Sequence, residues 1–243
     1  MPLLQAENVT LRFRGIVALD EVSLAVGEGE IAGLIGPNGA GKTTLFNVIT
    51  RLYQPDSGRV FFADENLLRA RPHKVVRRGI ARTFQNVVLF PTMTALENVV
   101  VGTHSRMGFF RGLRAHKTAR EMIDDLGLGA VADRPAAGLP LGTAKRIELA
   151  RALVSRPRLL LLDEPAGGLN HEEVVELGKL IRRIREDHEL TILVVEHHMN
   201  LVMSICEQVH VLNFGRKIAA GPPAAVQANP DVIEAYLGTE AAA

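Results

Sequence analysis

Residues 31–44 read Ile31-Ala32-Gly33-Leu34-Ile35-Gly36-Pro37-Asn38-Gly39-Ala40-Gly41-Lys42-Thr43-Thr44. The first five form an apolar run suited to a buried strand, and the chain from Lys42 through Ile49 is predicted as a helix. Between them, Gly36 to Thr43 fits the pattern G-x-x-x-x-G-K-[ST] at every fixed position. Glycines in such a loop let backbone N–H groups turn inward around phosphate oxygens, and the helix N-terminus adds a positive dipole. The stretch therefore predicts a phosphate-binding loop between a central strand and a helix.

The pattern also assigns tasks to two of its side chains. Lys42 would reach the β- and γ-phosphates of a nucleoside triphosphate, and the Thr43 hydroxyl would ligate Mg²⁺. A glycine-rich turn with an ordinary surface lysine is the alternative, and the strand and helix that flank the loop argue against it. The loop alone indicates a nucleoside triphosphate without saying which one.

Two adjacent carboxylates follow a second apolar run. Four consecutive leucines, Leu159–Leu162, predict a strand that is buried on both faces. Asp163 and Glu164 then stand at its C-terminal end, where ligands bind in parallel α/β sheets. We expect Asp163 to hold Mg²⁺, directly or through water, and Glu164 to orient or deprotonate an attacking water. A pair of solvated carboxylates is the alternative, and the phosphate loop in the same sheet favours the catalytic interpretation.

The composition is that of a globular protein with little net charge. The chain has 243 residues, of which 47% are hydrophobic and 23% charged, and this excludes a largely disordered chain. Its 28 Lys and Arg and 27 Asp and Glu give a net charge of +1, so no global field favours nucleic acid or anionic lipid. The single cysteine, Cys206, excludes an internal disulfide and favours a reducing compartment.

Membrane and export signals are not visible in the sequence. No apolar run approaches the roughly 20 residues that a membrane-spanning helix needs. The N-terminus lacks the basic start and the long apolar stretch of a signal peptide. We therefore expect a cytoplasmic chain whose role at a membrane would depend on a partner.

The chain reads as one domain, residues 1–243, with an inserted helical part. Alternating apolar residues predict strands in the first third. From about residue 91 to 156 the pattern is helical, and we predict a helical subdomain there. It would separate two parts of a nucleotide-binding core, at about 1–90 and 157–243.

A parallel sheet is predicted from the order of elements after residue 157. Strands at Leu159–Leu162 and Thr191–Val195 are separated by a helix, and strand–helix–strand units with apolar strands pack as parallel sheets. The apolar face of that helix is predicted to contain both Val174 and Val175.

Further segments give the chain a resemblance to the ATP-binding subunits of ABC transporters over nearly its whole length. Beside the two nucleotide motifs, the matching segments are Phe13, Gln85 within Arg82-Thr83-Phe84-Gln85-Asn86, Leu139-Pro140-Leu141-Gly142-Thr143, Gly167-Gly168-Leu169-Asn170 and His197. The resemblance implies an α/β fold, a P-loop NTPase of the ABC type. Its parts would be a RecA-like core, an antiparallel β-subdomain and an inserted helical subdomain. It also implies an ATPase whose hydrolysis is coupled to solute transport.

The resemblance implies a role for each matching residue. Phe13 would stack on adenine, although alternation also predicts it as a core residue of its strand. The implied catalytic residues are Glu164, His197 and Gln85. The implied nucleotide-binding residues are Phe13, Gly36, Asn38, Gly39, Ala40, Gly41, Lys42, Thr43, Thr44, Gly142 and Thr143. The implied Mg²⁺ ligands are Thr43, Gln85 and Asp163.

The segment Leu139–Thr143 departs from the family's signature motif. In the family, the helix that follows this motif points its N-terminus at the γ-phosphate held by the other subunit of a head-to-tail dimer. Pro140 takes the place of the usual serine, and Thr143 that of the usual glutamine. We therefore expect the contact here to depend on backbone N–H groups around Gly142 and Thr143. The helix itself is predicted over Ala144–Ser155.

Four runs resemble the branched-chain amino-acid importer branch of the family. They are Thr83–Asn86, Pro165–Asn170, Val195–Met199 and the tail Asn229–Gly238. The alternatives are a subunit for another amino acid, an amide or urea, a soluble ABC-type ATPase of DNA repair or translation, and an unrelated phosphate-loop kinase or GTPase. The length argues against the soluble class, which usually carries two nucleotide modules or long insertions.

The resemblance also implies partners and a location. We expect transmembrane permease subunits, and a second ATP-binding subunit that is either another copy or a sister chain. A periplasmic or extracellular substrate-binding protein would act indirectly, and no nucleic acid is expected. The chain would be cytoplasmic and peripheral on the inner face of the cell membrane.

Overall fold

Two sheets organise the computed structural model, which describes residues 2–107 and 112–240 except for the side chains of 105–107, 112 and 237–240. The strands are β1 (Pro2–Phe13), β2 (Ile16–Gly27), β3 (Ile31–Ile35), β4 (Ser57–Phe62), β5 (Glu65–Asn66), β6 (Ile80–Arg82), β7 (Leu159–Asp163), β8 (Thr191–Val195), β9 (Gln208–Asn213) and β10 (Arg216–Gly221). The helices are α1 (Lys42–Ile49), α2 (Pro72–Val75), α3 (Ala95–Met107), α4 (Gly112–Asp125), α5 (Leu141–Leu153), α6 (His171–Asp187), α7 (Met199–Ile205), α8 (Pro223–Gln227) and α9 (Pro230–Glu240).

The larger sheet brings the ends of its strands to one edge. Its order is β10-β9-β3-β8-β7-β6, and all neighbours are parallel except the edge pair β10 and β9. The register pairs Asp163 with Val195 and Leu34 with Val195, so β3, β7 and β8 end side by side. The chain leaving these three strands forms the phosphate loop, the segment with Glu164 and the segment with His197. The predicted parallel sheet and α/β fold are confirmed.

The smaller sheet is antiparallel, with the order β2-β1-β4-β5. Residues that alternate along the strands of the larger sheet enter two separate cores. In β7, Leu159 and Leu161 pack towards the smaller sheet and α1, whereas Leu160 and Leu162 pack towards the helices on the opposite face. This two-sided burial explains the unbroken apolar runs of the central strands.

The segment predicted as a helical subdomain, about 91–156, contains α3, α4 and α5. Helix α5 begins at Leu141, three residues earlier than predicted, with Pro140 at its N-cap. Because a proline at the N-cap removes no hydrogen bond from the helix, Leu141, Gly142 and Thr143 form the first turn. The division of the chain into a core and a helical subdomain stays a prediction.

Outside the site, the exposure of Val175 and of Cys206 bears on what their side chains can do. Val175 was predicted on the apolar face of α6, but it is 46% exposed whereas Val174 is buried, so that prediction is wrong. Burial raises the pKa of the Cys206 thiol to about 12, which leaves no thiolate at neutral pH.

Within the described residues, no helix has both the length and the apolar character that crossing a membrane requires.

Candidate active site

The phosphate loop has a backbone that only glycine accommodates at two points. Gly36 has a φ of 147°, and a Cβ there would overlap the Leu212 carbonyl oxygen. Gly41 has a φ of 102°, and a Cβ would lie 2.7 Å from the Ala18 oxygen. The loop is therefore pressed between β2 and the end of β9 so closely that no side chain fits at these two positions. Between the two glycines, the exposed Asn38 and Gly39 form the tip of the loop, and Ala40 is buried.

Lys42 is the first residue of α1, and its ammonium group lies over the loop. Its Nζ donates to the carbonyl oxygens of Gly36, at 2.6 Å, and Pro37, at 2.9 Å. Burial lowers the pKa of Lys42, while the charges of Glu164, Asp163 and Glu196 oppose that shift. The lysine thus lies within electrostatic reach of the carboxylates that follow β7 and β8. The exposed Thr43 and half-buried Thr44 follow it in the first turn.

The Glu164 carboxylate lies beside the other two predicted catalytic residues. Its Oε2 accepts a 2.8 Å hydrogen bond from Nε2 of Gln85 and lies 3.6 Å from Nδ1 of His197. The backbone of Glu164 has a φ of 47°, a left-handed conformation that costs a non-glycine residue about 1–3 kcal/mol. Its N–H donates to the Val195 oxygen at 2.9 Å, which fixes this turn against β8. The fold therefore aims the Glu164 carboxylate between the glutamine and the histidine.

Asp163 precedes Glu164 but lies in a different environment. Its side chain is 4% exposed, and its Oδ2 lies 2.7 Å from Nη2 of Arg82 at the end of β6. One of two adjacent carboxylates is thus buried and paired with a guanidinium, whereas the other faces Gln85 and His197. This difference matches the separate tasks that the sequence predicts for them.

A third carboxylate, Glu196, connects the segments that follow β7 and β8. It is fully buried, and its Oε1 accepts from the Ala166 N–H at 2.7 Å. Its Oε2 accepts from the N–H groups of His197, at 2.9 Å, and His198, at 3.1 Å. One side chain thereby fixes the backbone after Glu164 relative to the backbone of His197.

The signature segment lies beside α6 and the loop that precedes it. Gly142 packs against the Glu173 side chain and Leu169, and Asn170 caps α6 by a reciprocal capping box with Glu173. In the described residues, no hydrogen bond or ion pair joins Gly142 or Thr143 to the phosphate loop of the same chain. The first N–H groups of α5 thus make no hydrogen bond to the phosphate loop of their own chain, and they lie at a helix N-terminus suited to an anion.

Phe13 ends β1 with its ring at the surface. It is 41% exposed and packs edge-on against Tyr53, with the ring centroids 5.2 Å apart. The alternative interpretation, a core residue of the strand, is therefore wrong. The exposed part of the ring is free to contact a planar ligand.

The sequence patterns missed the roles of Arg82 and Glu196. Both directly end or follow a short apolar strand, as Asp163 and Glu164 do. A charged residue at that place is the signal that would have identified them, since the ends of parallel strands meet at one edge. Their partners, however, lie 81 and 30 residues away along the chain.

The sequence matches two protein-family models and a known relative. The family model described as ABC transporter matches residues 19–167. A second model, described as Branched-chain amino acid ATP-binding cassette transporter, matches residues 216–242. The high-affinity branched-chain amino acid transport ATP-binding protein BraF of Pseudomonas aeruginosa is 43% identical, and the match covers 98% of each chain.

Solved structures of ATP-binding cassettes have the same fold. The ADP conformation of MJ1267, a cassette of an ABC transporter, matches with a TM-score of 0.89 and 30% identity over 98% of this chain and 99% of that one. A dimeric cassette, MJ0796 bound to ADP and Pi, matches with a TM-score of 0.81 and 28% identity over 90% of this chain and 98% of the other. The chain therefore belongs to the ABC transporter family, as an ATP-binding and ATP-hydrolysing subunit.

Proposed function

We propose that the protein energises an importer of branched-chain amino acids by hydrolysing Mg-ATP at the site around Glu164. The observation that carries the catalytic part is the position of the Glu164 carboxylate between Gln85 and His197, beside the phosphate loop. The substrate class rests on the similarity to BraF and on the family match of the C-terminal residues 216–242.

Nucleotide binding would depend mainly on α1 and the loop before it. Backbone N–H groups between Gly36 and Thr44 would surround the phosphates, including those of Asn38, Gly39, Ala40 and Gly41; Pro37 has no N–H to donate. Lys42 would exchange its two carbonyl partners for phosphate oxygens, which are stronger acceptors because they are charged. Phe13 would stack on the adenine ring.

The residues present fit a magnesium ion. The candidates are the Asp163 carboxylate, the Thr43 hydroxyl and the Gln85 amide, and hard oxygen donors of this kind suit Mg²⁺. The bond from Arg82 occupies Oδ2 of Asp163, and a carboxylate has about four lone-pair sites, so acceptor capacity remains for a metal. When bound, the ion would neutralise charge on the transferred phosphoryl group.

Hydrolysis would use groups of this chain that the fold already holds in place. Glu164 would orient the attacking water and accept its proton. Gln85 would hold the water from the side of β6, since its amide already contacts Oε2 of Glu164. His197 would contact the γ-phosphate from the side of β8.

A second subunit would complete the site. Within the described residues, the first N–H groups of α5, those of Leu141, Gly142 and Thr143, make no hydrogen bond to the phosphate loop of their own chain. In a head-to-tail dimer they would face the γ-phosphate held by the partner. The dimeric structure of the cassette MJ0796 supports pairing of two ATP-binding subunits. The partner would be a second copy or a sister ATP-binding subunit.

Transmembrane permease subunits would bind beside Gln85. An open groove there is lined by Phe84, Val88 and Phe90, which are 45%, 58% and 47% exposed. Exposed apolar side chains grouped in a groove are typical of protein interaction sites. Their position next to Gln85 would let a membrane subunit sense the catalytic site. The chain would then be peripheral on the inner face of the membrane, and a substrate-binding protein would act from the outside.

Co-purification from the native membrane tests this function. The tagged full chain should retain permease subunits in membranes washed with high salt and should remain in the supernatant when expressed alone. Val88→Asp should weaken retention, whereas Val175→Asp, at a similarly exposed valine on α6, should not. A purified complex without permeases, or tight binding of the chain alone to protein-free liposomes, contradicts the proposal. Leucine, isoleucine and valine binding to the associated binding protein would test the substrate class.

A first prediction concerns adenine stacking on Phe13. Aromatic pairs contribute about 0.5–1.5 kcal/mol beyond their buried area, so Phe13→Ala should weaken ATP binding several-fold. The ring is half exposed, and the variant should therefore keep its fold. Equilibrium binding of ATP measures the effect, with Phe61→Ala on the neighbouring strand β4 as the control. Unchanged affinity in folded Phe13→Ala would show that the ring has no contact with nucleotide.

A second prediction concerns the carboxylate that joins the two catalytic segments. Glu196→Gln replaces one acceptor oxygen by an NH₂ group that faces N–H donors, which should cost about 1–3 kcal/mol of stability. Turnover should fall because His197 and Glu164 lose their fixed separation, while ATP affinity should hold. The control is Glu207→Gln, where the carboxylate accepts the Ile31 N–H at 2.5 Å at the opposite end of the sheet. Equal turnover per folded molecule in the two variants would refute this role for Glu196.

A further inference from the structure

A buried ion pair joins the ends of two neighbouring strands. Arg82 is the last residue of β6 and Asp163 the last of β7, and these strands are parallel neighbours. Nη2 of Arg82 lies 2.7 Å from Oδ2 of Asp163, and the two side chains are only 7% and 4% exposed. The phosphate loop does not need an arginine at this edge of the sheet in order to bind phosphate. The burial of Arg82 beside Asp163 therefore needs a separate explanation.

The guanidinium of Arg82 is also held from its other sides. Its Nη1 donates to Oδ1 of Asn47 at 2.7 Å and to Oγ1 of Thr50 at 3.3 Å, both at the C-terminal end of α1. Its Cζ lies 5.5 Å from the centre of the Phe46 ring and 5.2 Å from that of Phe84, within the range of cation–π attraction. The position of the guanidinium is thus fixed by α1 and by the segment that leads to Gln85.

These contacts connect the proposed metal ligands to one another. Helix α1 begins with Lys42 and Thr43 in the phosphate loop, and its other end holds Arg82. Arg82 in turn holds Oδ2 of Asp163, which fixes the rotation of that carboxylate and therefore the direction of Oδ1. Groups that hydrogen-bond a metal ligand set its orientation, and their loss typically lowers metal affinity by about 10–100-fold.

We propose that Arg82 is a positioning residue that orients the Asp163 carboxylate for Mg²⁺. The inference rests on the proposed assignment of Asp163 to the metal. Arg82 acts through Asp163 and touches neither nucleotide nor water in this role. The geometry also explains why the residue is an arginine: its planar group serves Asn47 and Asp163 at the same time, whereas a lysine has a single nitrogen.

The test is the Mg²⁺ dependence of ADP binding to the full chain. A fluorescent ADP analogue is titrated with and without Mg²⁺, so that hydrolysis plays no part in the readout. Arg82→Lys keeps a positive charge beside Asp163 but loses the anchor on Asn47. The Mg²⁺ concentration for half-maximal effect should rise about tenfold or more, while affinity without Mg²⁺ should not change.

Arg158→Lys is the matched control. Arg158 lies just before β7, pairs with Glu28 at 2.7 Å and lies over the Phe62 ring at 5.9 Å, but it is at the opposite end of the sheet. This variant should leave the Mg²⁺ dependence unchanged. In an Asp163→Asn background, Arg82→Lys should add no further shift, because the residue through which it acts is already altered.

Three results would overturn the inference: an unchanged Mg²⁺ midpoint in Arg82→Lys, an equal shift in Arg158→Lys, or a fully additive shift in the double variant. If Arg82→Lys does not fold, Asn47→Ala removes the anchor and leaves the ion pair intact. It should shift the midpoint in the same direction, and no shift would again overturn the inference. A failure of the metal assignment itself would be distinguishable, because Asp163→Asn alone would then leave the Mg²⁺ midpoint for ADP binding unchanged.

Discussion

Glu164→Gln should lower the single-turnover rate of ATP hydrolysis by about 10²–10⁴-fold and leave Mg-ATP binding intact. The amide has nearly the shape of the carboxylate, but it cannot accept the proton of the attacking water. The contact with Gln85 can persist, because the Oε1 of a glutamine side chain also accepts a hydrogen bond. Loss of rate without loss of binding is the signature of an interaction made in the transition state.

The same variant should accumulate as a closed dimer, because ATP would persist between the subunits. Size-exclusion chromatography should show the dimer with Mg-ATP and a monomer with Mg-ADP, in the presence of a sister subunit if one is required. Glu189→Gln is the matched control, since Glu189 also has a left-handed backbone, with a φ of 51°, but lies in the turn before β8. Near-normal turnover of Glu164→Gln with the proper partner would show that another group activates the water.

Asp163→Asn should impair both the metal dependence of nucleotide binding and the stability of the fold. The charge that would hold Mg²⁺ is lost, so the response of ADP binding to Mg²⁺ should fall at least tenfold. The buried guanidinium of Arg82 is left without its counter-charge, and removal of one partner from a buried ion pair costs about 3–5 kcal/mol.

Denaturant unfolding and the Mg²⁺ titration measure these two effects separately. The matched control is Asp133→Asn, which breaks the exposed pair with Arg120 and should change stability by at most about 1 kcal/mol. An Asp163→Asn protein with an unchanged response to Mg²⁺ would place the metal on other ligands. An unchanged stability would mean that Arg82 finds another partner.

The sequence predicts those parts of the site whose constraints are local. The phosphate loop is one such part. Its backbone has a positive φ at Gly36 and at Gly41, which favours glycine, and both positions lie within a few residues of Lys42. The strand before Asp163 is another, because burial on both faces leaves an unbroken run of leucines. Glu164 and His197 both follow the C-terminal ends of strands, and their proximity is expected because the C-terminal ends of parallel strands meet at one edge of a sheet.

The parts that the sequence does not predict depend on distant contacts. Strands β9 and β10 were not predicted, because β9 is placed by its pairing with β3 and contains the buried polar His210. Burial lowers the pKa of His210, whose Nε2 lies 3.1 Å from the Ala25 oxygen, a contact across 185 residues. The prediction that Val175 lies on the buried face of α6 was wrong for a related reason. The elements that pack against α6 decide how wide its buried face is.

The charged residues Arg82 and Glu196 show the same limit within the site. The end of a short apolar strand marks each residue as part of the site, yet no local pattern identifies the group with which it pairs. Arg82 depends on α1 and Asp163, and Glu196 on the backbone after Glu164. A buried charge becomes interpretable only when the groups that pair with it are known.

Leucine uptake into proteoliposomes tests most directly whether hydrolysis at Glu164 energises import. The vesicles contain the chain with its co-purified permease subunits, ATP on the side of the ATP-binding subunits and the binding protein on the other. We predict that radioactive leucine accumulates with the unmodified chain and ATP, but not with ADP and not with Glu164→Gln. Accumulation that is unaffected by Glu164→Gln, or rapid hydrolysis without accumulation of any branched-chain amino acid, would contradict the proposed function.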